Sequence, residues 1–217
     1  MNMLKAVEEA KTKSKKRKFI QSLDLIMNFT GIDFNKPDNR MDIEVVLPAG
    51  RGRQVKVAVI AGNDLIVEAK KVADKVIVKD EIEKLGADKK GLKKLVDEYD
   101  YFLCQTELMA LIGKSFGQVM GPRGRLPKPV PPIAKLEPII ERLRKTVRVK
   151  TKGKFLPTLH VVIGTEEMPN EDLVKNADAV IHAVRDKLPN KEGNIRSIYV
   201  KTTMGEPVKV EADAKAK

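Results

Sequence analysis

A chain of 217 residues with 42% hydrophobic content can bury one large core or two small ones. It has no run of eighteen apolar residues, which excludes a spanning helix, and its one cysteine, Cys104, excludes an internal disulfide or a cysteine-rich zinc site. The formal net charge of +12 points to a polyanionic partner, and its distribution sharpens the point. Residues 1–20 hold seven Lys and Arg against Glu8 and Glu9, and residues 114–154 hold twelve against Glu137 and Glu141. The remainder is slightly acidic. Neither block is an amphipathic helix bearing Trp or Phe, so nucleic acid ranks well ahead of an anionic membrane. The charged N-terminus has no signal-peptide core, and a cytosolic protein is expected.

In chain order, Met1 to Lys13 reads as a short helix, with Leu4 and Val7 at helical spacing. The basic run Lys15-Lys-Arg-Lys18 leads into a strand from Phe19 to Phe29. Phe19 directly after four cations suits base stacking beside phosphate, and it suits equally a core Phe opening a strand. A loop at Asn35–Asn39 precedes a second strand, Met41 to Leu47, which Pro48-Ala-Gly-Arg-Gly52 breaks. The pattern then becomes strand–helix alternation: strand Gln54–Ile60, a cap at Asn63-Asp64, helix Leu65–Ala73, strand Lys75–Val78. Helical pieces follow from Glu81 to Tyr99, broken near Gly86 and Gly91, and then strand Asp100–Gln105. Thr106 is read as the cap of a helix from Glu107 to Ile112. Such alternation means βαβ units and a parallel sheet covered on both faces.

Five of the 12 prolines lie between Pro122 and Pro132, so this stretch reads as a stiff extended loop. Within it Gly121-Pro-Arg-Gly124 is read as a turn lifting Arg123 and Arg125 outward. Ile133 to Lys145 returns to helix, Val147 to Lys150 to strand. After Lys152-Gly-Lys154 comes a strand from Thr158 to Gly164, then a helix from Pro169 whose Leu173, Ala177, Val180, Ile181 and Val184 recur at helical spacing. In Arg196 to Gly205, Ile198 and Val200 alternate with Ser197, Tyr199 and Lys201, as in a strand with one buried face. The run ends in Thr202-Thr-Met-Gly205, small and uncharged. Such an edge suits the sugar and base edges of folded RNA, though it also suits a plain hairpin closure before Pro207. Pro207 to Glu211 is a last strand, and Ala212 to Lys217 a frayed tail.

The expected fold is therefore α/β in two domains. Residues 1–50 and 147–217 form a discontinuous α+β domain, and residues 51–146 an inserted parallel-sheet, Rossmann-like domain. A strand at each junction would make a natural hinge. Gly113-Lys-Ser115 is no phosphate loop, because Leu108 stands where the motif needs glycine. Gly117, Gly121 and Gly124 lack dinucleotide spacing. His160 and His182 are isolated, and Glu166-Glu167 and Glu171-Asp172 suit a helix start, so no metal site, cofactor or catalysis is expected. A nucleotide-dependent enzyme and a general DNA binder are the competing classes.

Three stretches together, Lys18-Phe-Ile-Gln-Ser22, Met120-Gly-Pro-Arg-Gly124 with Leu126-Pro-Lys-Pro129, and Ser197 to Gly205, resemble the ribosomal protein L-one family, in its archaeal form. The resemblance spans nearly the whole chain. It implies binding of large-subunit ribosomal RNA at the mobile stalk near the transfer RNA exit site, help in releasing deacylated transfer RNA, and repression of the protein's own messenger RNA. It also implies a ribosomal location and a monomer when free. The RNA-binding residues it implies are Lys18, Phe19, Ser22, Ser197, Thr203, Met204 and Gly205. Asp24 stands where bacterial members carry Glu. Gly121, Pro122, Arg123 and Arg125 are secondary contacts from the inserted domain.

Overall fold

The computed structural model describes residues 2–34, 36, 39–62, 65–132, 134–151 and 156–211. The elements run α1 (Met3–Thr12), β1 (Ser22–Phe29), β2 (Asp42–Val46), β3 (Val57–Ala61), α2 (Ile66–Val72), β4 (Lys75–Val78), α3 (Lys79–Ala87), α4 (Lys89–Glu98) and β5 (Tyr101–Gln105). A 3₁₀ turn at Thr106–Leu108 leads into α5 (Met109–Arg123), β6 (Lys128–Val130), α6 (Leu136–Lys145), β7 (Thr146–Lys150), β8 (Thr158–Thr165), α7 (Asn170–Lys187), β9 (Ile195–Thr202) and β10 (Val208–Lys209). The turn at Asn35–Asn39, the cap at Asn63-Asp64, the helix start at Ile133, Lys152-Gly-Lys154 and the tail from Ala212 lie wholly or partly outside the described residues. The chain divides into two compact units, Met1–Arg53 with Lys145–Lys217, and Gln54–Arg144.

In the first unit an antiparallel sheet has the order β10-β9-β1-β8. Period-two alternation fixes which face is buried. Leu23, Leu25, Met27 and Phe29 of β1 join Leu159, Val161 and Ile163 of β8 and Ile198 and Val200 of β9 in one core. Met3, Ala6, Val7 and Ala10 of α1 and Leu173, Ala177, Val180, Ile181 and Val184 of α7 cover that face. β1 begins at Ser22, three residues later than Phe19 suggested. Phe19 has the parity of the buried set, but the chain leaves the sheet at Gln21, and both Phe19 and Ile20 stay exposed.

The strands flanking the two junctions, β2 and β7, pair with each other antiparallel. Just beyond β2 the backbone turns at Gly50 and Gly52, whose φ values of 77° and 71° suit glycine. A Cβ on Gly52 would sit 2.6 Å from Met168 Sδ and from Thr165 Oγ1. Fully buried Asn176 of α7 anchors this turn. Its amide donates to Gly50 O and Ile163 O, both at 2.8 Å, and its Oδ1 accepts from Ala49 N at 3.0 Å.

In the second unit a parallel sheet has the order β4-β3-β5-β6, with separate apolar layers on its two faces. Three local readings are corrected here. Thr106 caps no helix: its hydroxyl donates to Val130 O at 3.2 Å, tying the 3₁₀ turn to β6. The following helix runs to Arg123 rather than ending at Ile112, because Ile112, Phe116, Val119 and Met120 bury one helical face. That burial outweighs the propensity penalty of Gly113, Gly117 and Gly121, about 1 kcal/mol each. The proline-rich stretch supplies a fourth strand, with Leu103 opposite Lys128 and Gln105 opposite Val130.

Strand order in that sheet reverses between β3 and β5, the point where open α/β sheets usually admit ligands. Here the buried amide of Gln105 accepts from Gly62 N at 2.8 Å, and a Cβ on Gly62 would meet it at 2.6 Å. Burial pushes the Cys104 thiol up to about 12, which leaves it an inert core group. No helix among the described residues is long and apolar enough to cross a membrane.

Asn176→Ala should orphan Ala49 N–H and two carbonyls, one of them wholly interior. At about 1–3 kcal/mol for a stranded polar group, a loss of roughly 2–4 kcal/mol is expected in urea unfolding. An unchanged midpoint would show that the turn is held by something else.

Candidate nucleic-acid interface

Strands β1 and β9 run antiparallel with Leu23 opposite Thr202 and Asp24 opposite Lys201. The pairing continues one step past β9. Ser22 N donates to Thr203 Oγ1 at 3.1 Å, and Thr203 N donates to Ser22 O at 3.0 Å. This brings the segment after the N-terminal basic run to the turn that follows β9.

Gln21 fixes the join. Its side chain is fully buried, and Nε2 donates to Ser14 Oγ at 2.9 Å, Lys15 O at 3.2 Å and Glu166 Oε2 at 3.2 Å. Its Oε1 accepts from Met204 N at 3.2 Å. Its own N–H donates to Glu166 Oε1 at 3.0 Å, and its carbonyl accepts from Glu166 N at 2.9 Å. Thr202, also fully buried, donates to Ser14 Oγ at 2.9 Å. Gly205 closes the turn so tightly that an added Cβ would collide with Thr202 Oγ1. One amide side chain thus links the basic loop, the end of β8 and the Thr-Met-Gly turn.

Above this frame three large apolar side chains face solvent: Phe19 at 53%, Ile20 at 54% and Met204 at 59% exposure. All three belong to residues within two positions of Gln21 or bonded to it. Exposed apolar groups gathered beside cations make this surface a candidate for binding. A groove of about 800 Å³ runs past Lys16, Arg17, Lys18, Phe19 and Ile20 to Glu166 and Glu167. Lys15, Lys16, Arg17 and Lys18 are exposed and have no carboxylate partner among the described residues. Lys11 is engaged otherwise: its ammonium donates to Met168 O at 2.6 Å and Asn170 Oδ1 at 2.7 Å, and burial lowers its pKa against the pull of Glu166.

The sheet face away from α1 and α7 carries Ser22, Asp24, Ile26 and Asn28 on β1, Ser197, Tyr199 and Lys201 on β9, and His160 and Val162 on β8, all partly or well exposed. Burial raises the Asp24 carboxyl above its ordinary value, with Lys201 and His160 opposing. Ser197 lies at the far end of this face, where Asn28 Nδ2 donates to its Oγ at 3.0 Å.

The anticipated residues therefore form two groups on one unit: Lys18, Phe19, Ser22, Thr203, Met204 and Gly205 gather at one end of the β1–β9 pair, while Asp24 and Ser197 lie along its open face. The bonds that tie Gln21, Ser14, Thr202 and Glu166 together escaped sequence reading. The available signal was parity, since Gln21 occupies a position in the buried set where an amide demands partners.

The second group of expected contacts is rearranged. Gly121, Pro122 and Arg123 form the last turn of α5, and Gly124 ends it with a φ of 65°. Arg125 is not lifted outward. Its guanidinium caps the end of α4 by donating to Val96 O, to Asp97 O at 3.1 Å and to Tyr99 O at 2.8 Å. Arg123 pairs with Asp97 at 2.8 Å, which holds that carboxyl below its ordinary value. Arg148 grips Asp42 through two bonds of 2.6 Å, and Arg144 approaches Asp74 at 3.4 Å. The basic block at 114–154 is thus partly neutralised by carboxylates distant in sequence.

Gln21→Ala should free the Met204 amide, and hydrogen exchange there should accelerate at least tenfold; unchanged protection would separate the turn from Gln21. Asp24→Asn tests the open face. A raised carboxyl pKa means that the charged form is disfavoured in the fold. The penalty is present above the ordinary carboxylate range and vanishes as pH falls below it. Asp24→Asn should therefore raise the melting temperature at pH 7 and lose that advantage near pH 3. A destabilised variant at pH 7 would mean that the charge is well satisfied.

The chain is similar to known proteins over nearly its whole length. Residues 10–206 match the ribosomal protein L1p/L10e family. The large ribosomal subunit protein uL1 of Methanothermococcus thermolithotrophicus is 46% identical over 210 residues, covering 97% of this chain and 98% of that one. Its counterpart from Methanothermobacter thermautotrophicus is 47% identical over 209 residues, covering 96% and 98%. That from Thermococcus kodakarensis is 44% identical over 210 residues, covering 96% of each. A family match across most of the length, joined to relatives of this similarity, means that the chain belongs to the ribosomal protein L1p/L10e family.

Proposed function

We propose that this chain is a component of the large ribosomal subunit that grips ribosomal RNA with the unit built from both termini, residues 1–53 and 145–217, and has no catalytic role. The carrying observation is the Gln21 frame, which holds Lys15–Lys18, cations with no carboxylate partner among the described residues, beside exposed Phe19, Ile20 and Met204. Cations beside stacking and wedging side chains are the chemistry of RNA binding, with charge supplying affinity and the uncharged rim supplying selectivity. Lys18, Phe19, Ser22, Thr203, Met204 and Gly205 form the principal contact, extended by Asp24 and Ser197. The residues 54–144 act as an inserted domain, with exposed Gly121 and Pro122 as its secondary contact. Arg123 and Arg125 serve that contact mainly by shaping the end of α4.

The likeness to the family supports a wider proposal. The RNA is that of the mobile stalk, the chain assists release of deacylated transfer RNA from the exit site, and it represses its own messenger RNA through an imitation of the ribosomal site.

Binding to large-subunit ribosomal RNA of Methanothermobacter thermautotrophicus, with small-subunit RNA and duplex DNA as competitors, tests the core of this reading. Met204→Ala should reduce the preference for large-subunit RNA about tenfold with little change in salt slope. Replacing Lys16, Arg17 and Lys18 with Ala should flatten the log–log slope by roughly 0.7–0.9 for each phosphate left without its cation. Equal affinity for all three nucleic acids in the unaltered protein would overturn the proposal.

A further inference from the structure

The far end of the open sheet face is shaped by an irregularity. Asn28 pairs with Ser197, but the next residue of β1, Phe29, pairs with Ile195, so Arg196 is an extra residue in β9. Ile198, Val200 and Thr202 are the buried set of this strand, and simple alternation would send Arg196 inward with them. The bulge exchanges the roles. Ile195 packs against the core and Arg196 is exposed. Bulges commonly re-aim a side chain beside a functional site. Arg196 has no carboxylate partner among the described residues, unlike Arg123, Arg148 and Arg185, which pair with Asp97, Asp42 and Glu192.

Beside it lies a notch of about 260 Å³ lined by Asn28, Phe29, Pro157, Thr158, Arg196, Ser197 and Tyr199. That is below the roughly 300 Å³ where cavities for larger ligands begin. No carboxylate among the described residues lines it, so a cation finds no counter-charge there. Tyr199 is half-buried, and its hydroxyl has no hydrogen-bond partner among the described residues. The Asn28 amide, already oriented by Ser197 Oγ, and the Thr158 hydroxyl supply uncharged donors and acceptors. A guanidinium, an aromatic ring and short polar groups around a small notch match one nucleotide: phosphate to arginine, base against tyrosine, base edge to amide and hydroxyl.

We infer that this notch is a second subsite, which takes one unpaired nucleotide of the bound RNA. The inference rests on the reading of the chain as an RNA binder and adds a foothold to it. Ser22 and Asn28 are six residues apart on β1, roughly 20 Å at about 3.4 Å per residue. One nucleotide cannot bridge that span, so the notch and the Met204 rim engage separate nucleotides of the same RNA.

The test uses the full-length chain, large-subunit ribosomal RNA of Methanothermobacter thermautotrophicus, small-subunit RNA as competitor, and chemical probing of base reactivity. Arg196→Ala and Tyr199→Ala should each weaken large-subunit RNA binding roughly tenfold, while Tyr199→Phe keeps most of the affinity because the ring remains. Tyr199→Ala should restore the reactivity of a nucleotide other than those released by Met204→Ala. If Tyr199→Ala melts early, Arg196→Ala, an exposed position, carries the test alone. Wild-type selectivity with unaltered binding and protection in Arg196→Ala would overturn the subsite and leave RNA binding standing. No selectivity in the wild type would overturn both.

Discussion

The candidate interface depends on one buried amide. Gln21 occupies a position that strand alternation assigns to the core, and an amide there without partners would be costly. Its partners come from three separate segments: Ser14 and Lys15 from the basic loop, Glu166 after β8, and Met204 after β9. Satisfying Gln21 therefore means assembling the surface. Strands β1 and β9 are held in register by their ladder, but the ladder leaves the flanking segments undetermined. The Gln21 bonds determine them, and so decide where Phe19, Ile20 and Met204 emerge. Such preorganisation reduces what must be ordered when a partner binds.

Electrostatics reinforces that conclusion by subtraction. Two blocks of cations stand out along the chain, yet several of the second are already spoken for. Arg123, Arg144 and Arg148 face Asp97, Asp74 and Asp42, and Arg125 caps a helix end. Exposed pairs of this kind contribute little to stability, but they cancel charge that a polyanion would otherwise meet. The run Lys15–Lys18 keeps its full charge with respect to the described residues. Four such cations thus stand beside the apolar rim, and Arg196 adds a separate point at the other end of the face.

Much of this was legible from residue patterns. Period-two runs gave β1, β8 and β9, and strand–helix alternation gave the parallel sheet, because burial of one face imposes those periods directly. The helix through Gly113, Gly117 and Gly121 was not legible, since propensity argues against it and the packing of Ile112, Phe116, Val119 and Met120 is what supports it. Strand β6 hid among prolines because an edge position tolerates them. Phe19 and Met204 could be singled out as residue types, and their joint exposure accords with that. The parity of Gln21 could be read but not its partners, nor the aim of Arg196, because each depends on contacts or register made more than 140 positions away.

The most direct measurement is hydrogen exchange across the whole chain, with and without large-subunit ribosomal RNA of Methanothermobacter thermautotrophicus. The account predicts new protection in Lys15–Ser22 and Thr202–Gly205 together, as one surface covered at once. RNA-dependent protection confined to residues 114–144, with both of those segments unchanged, would contradict it.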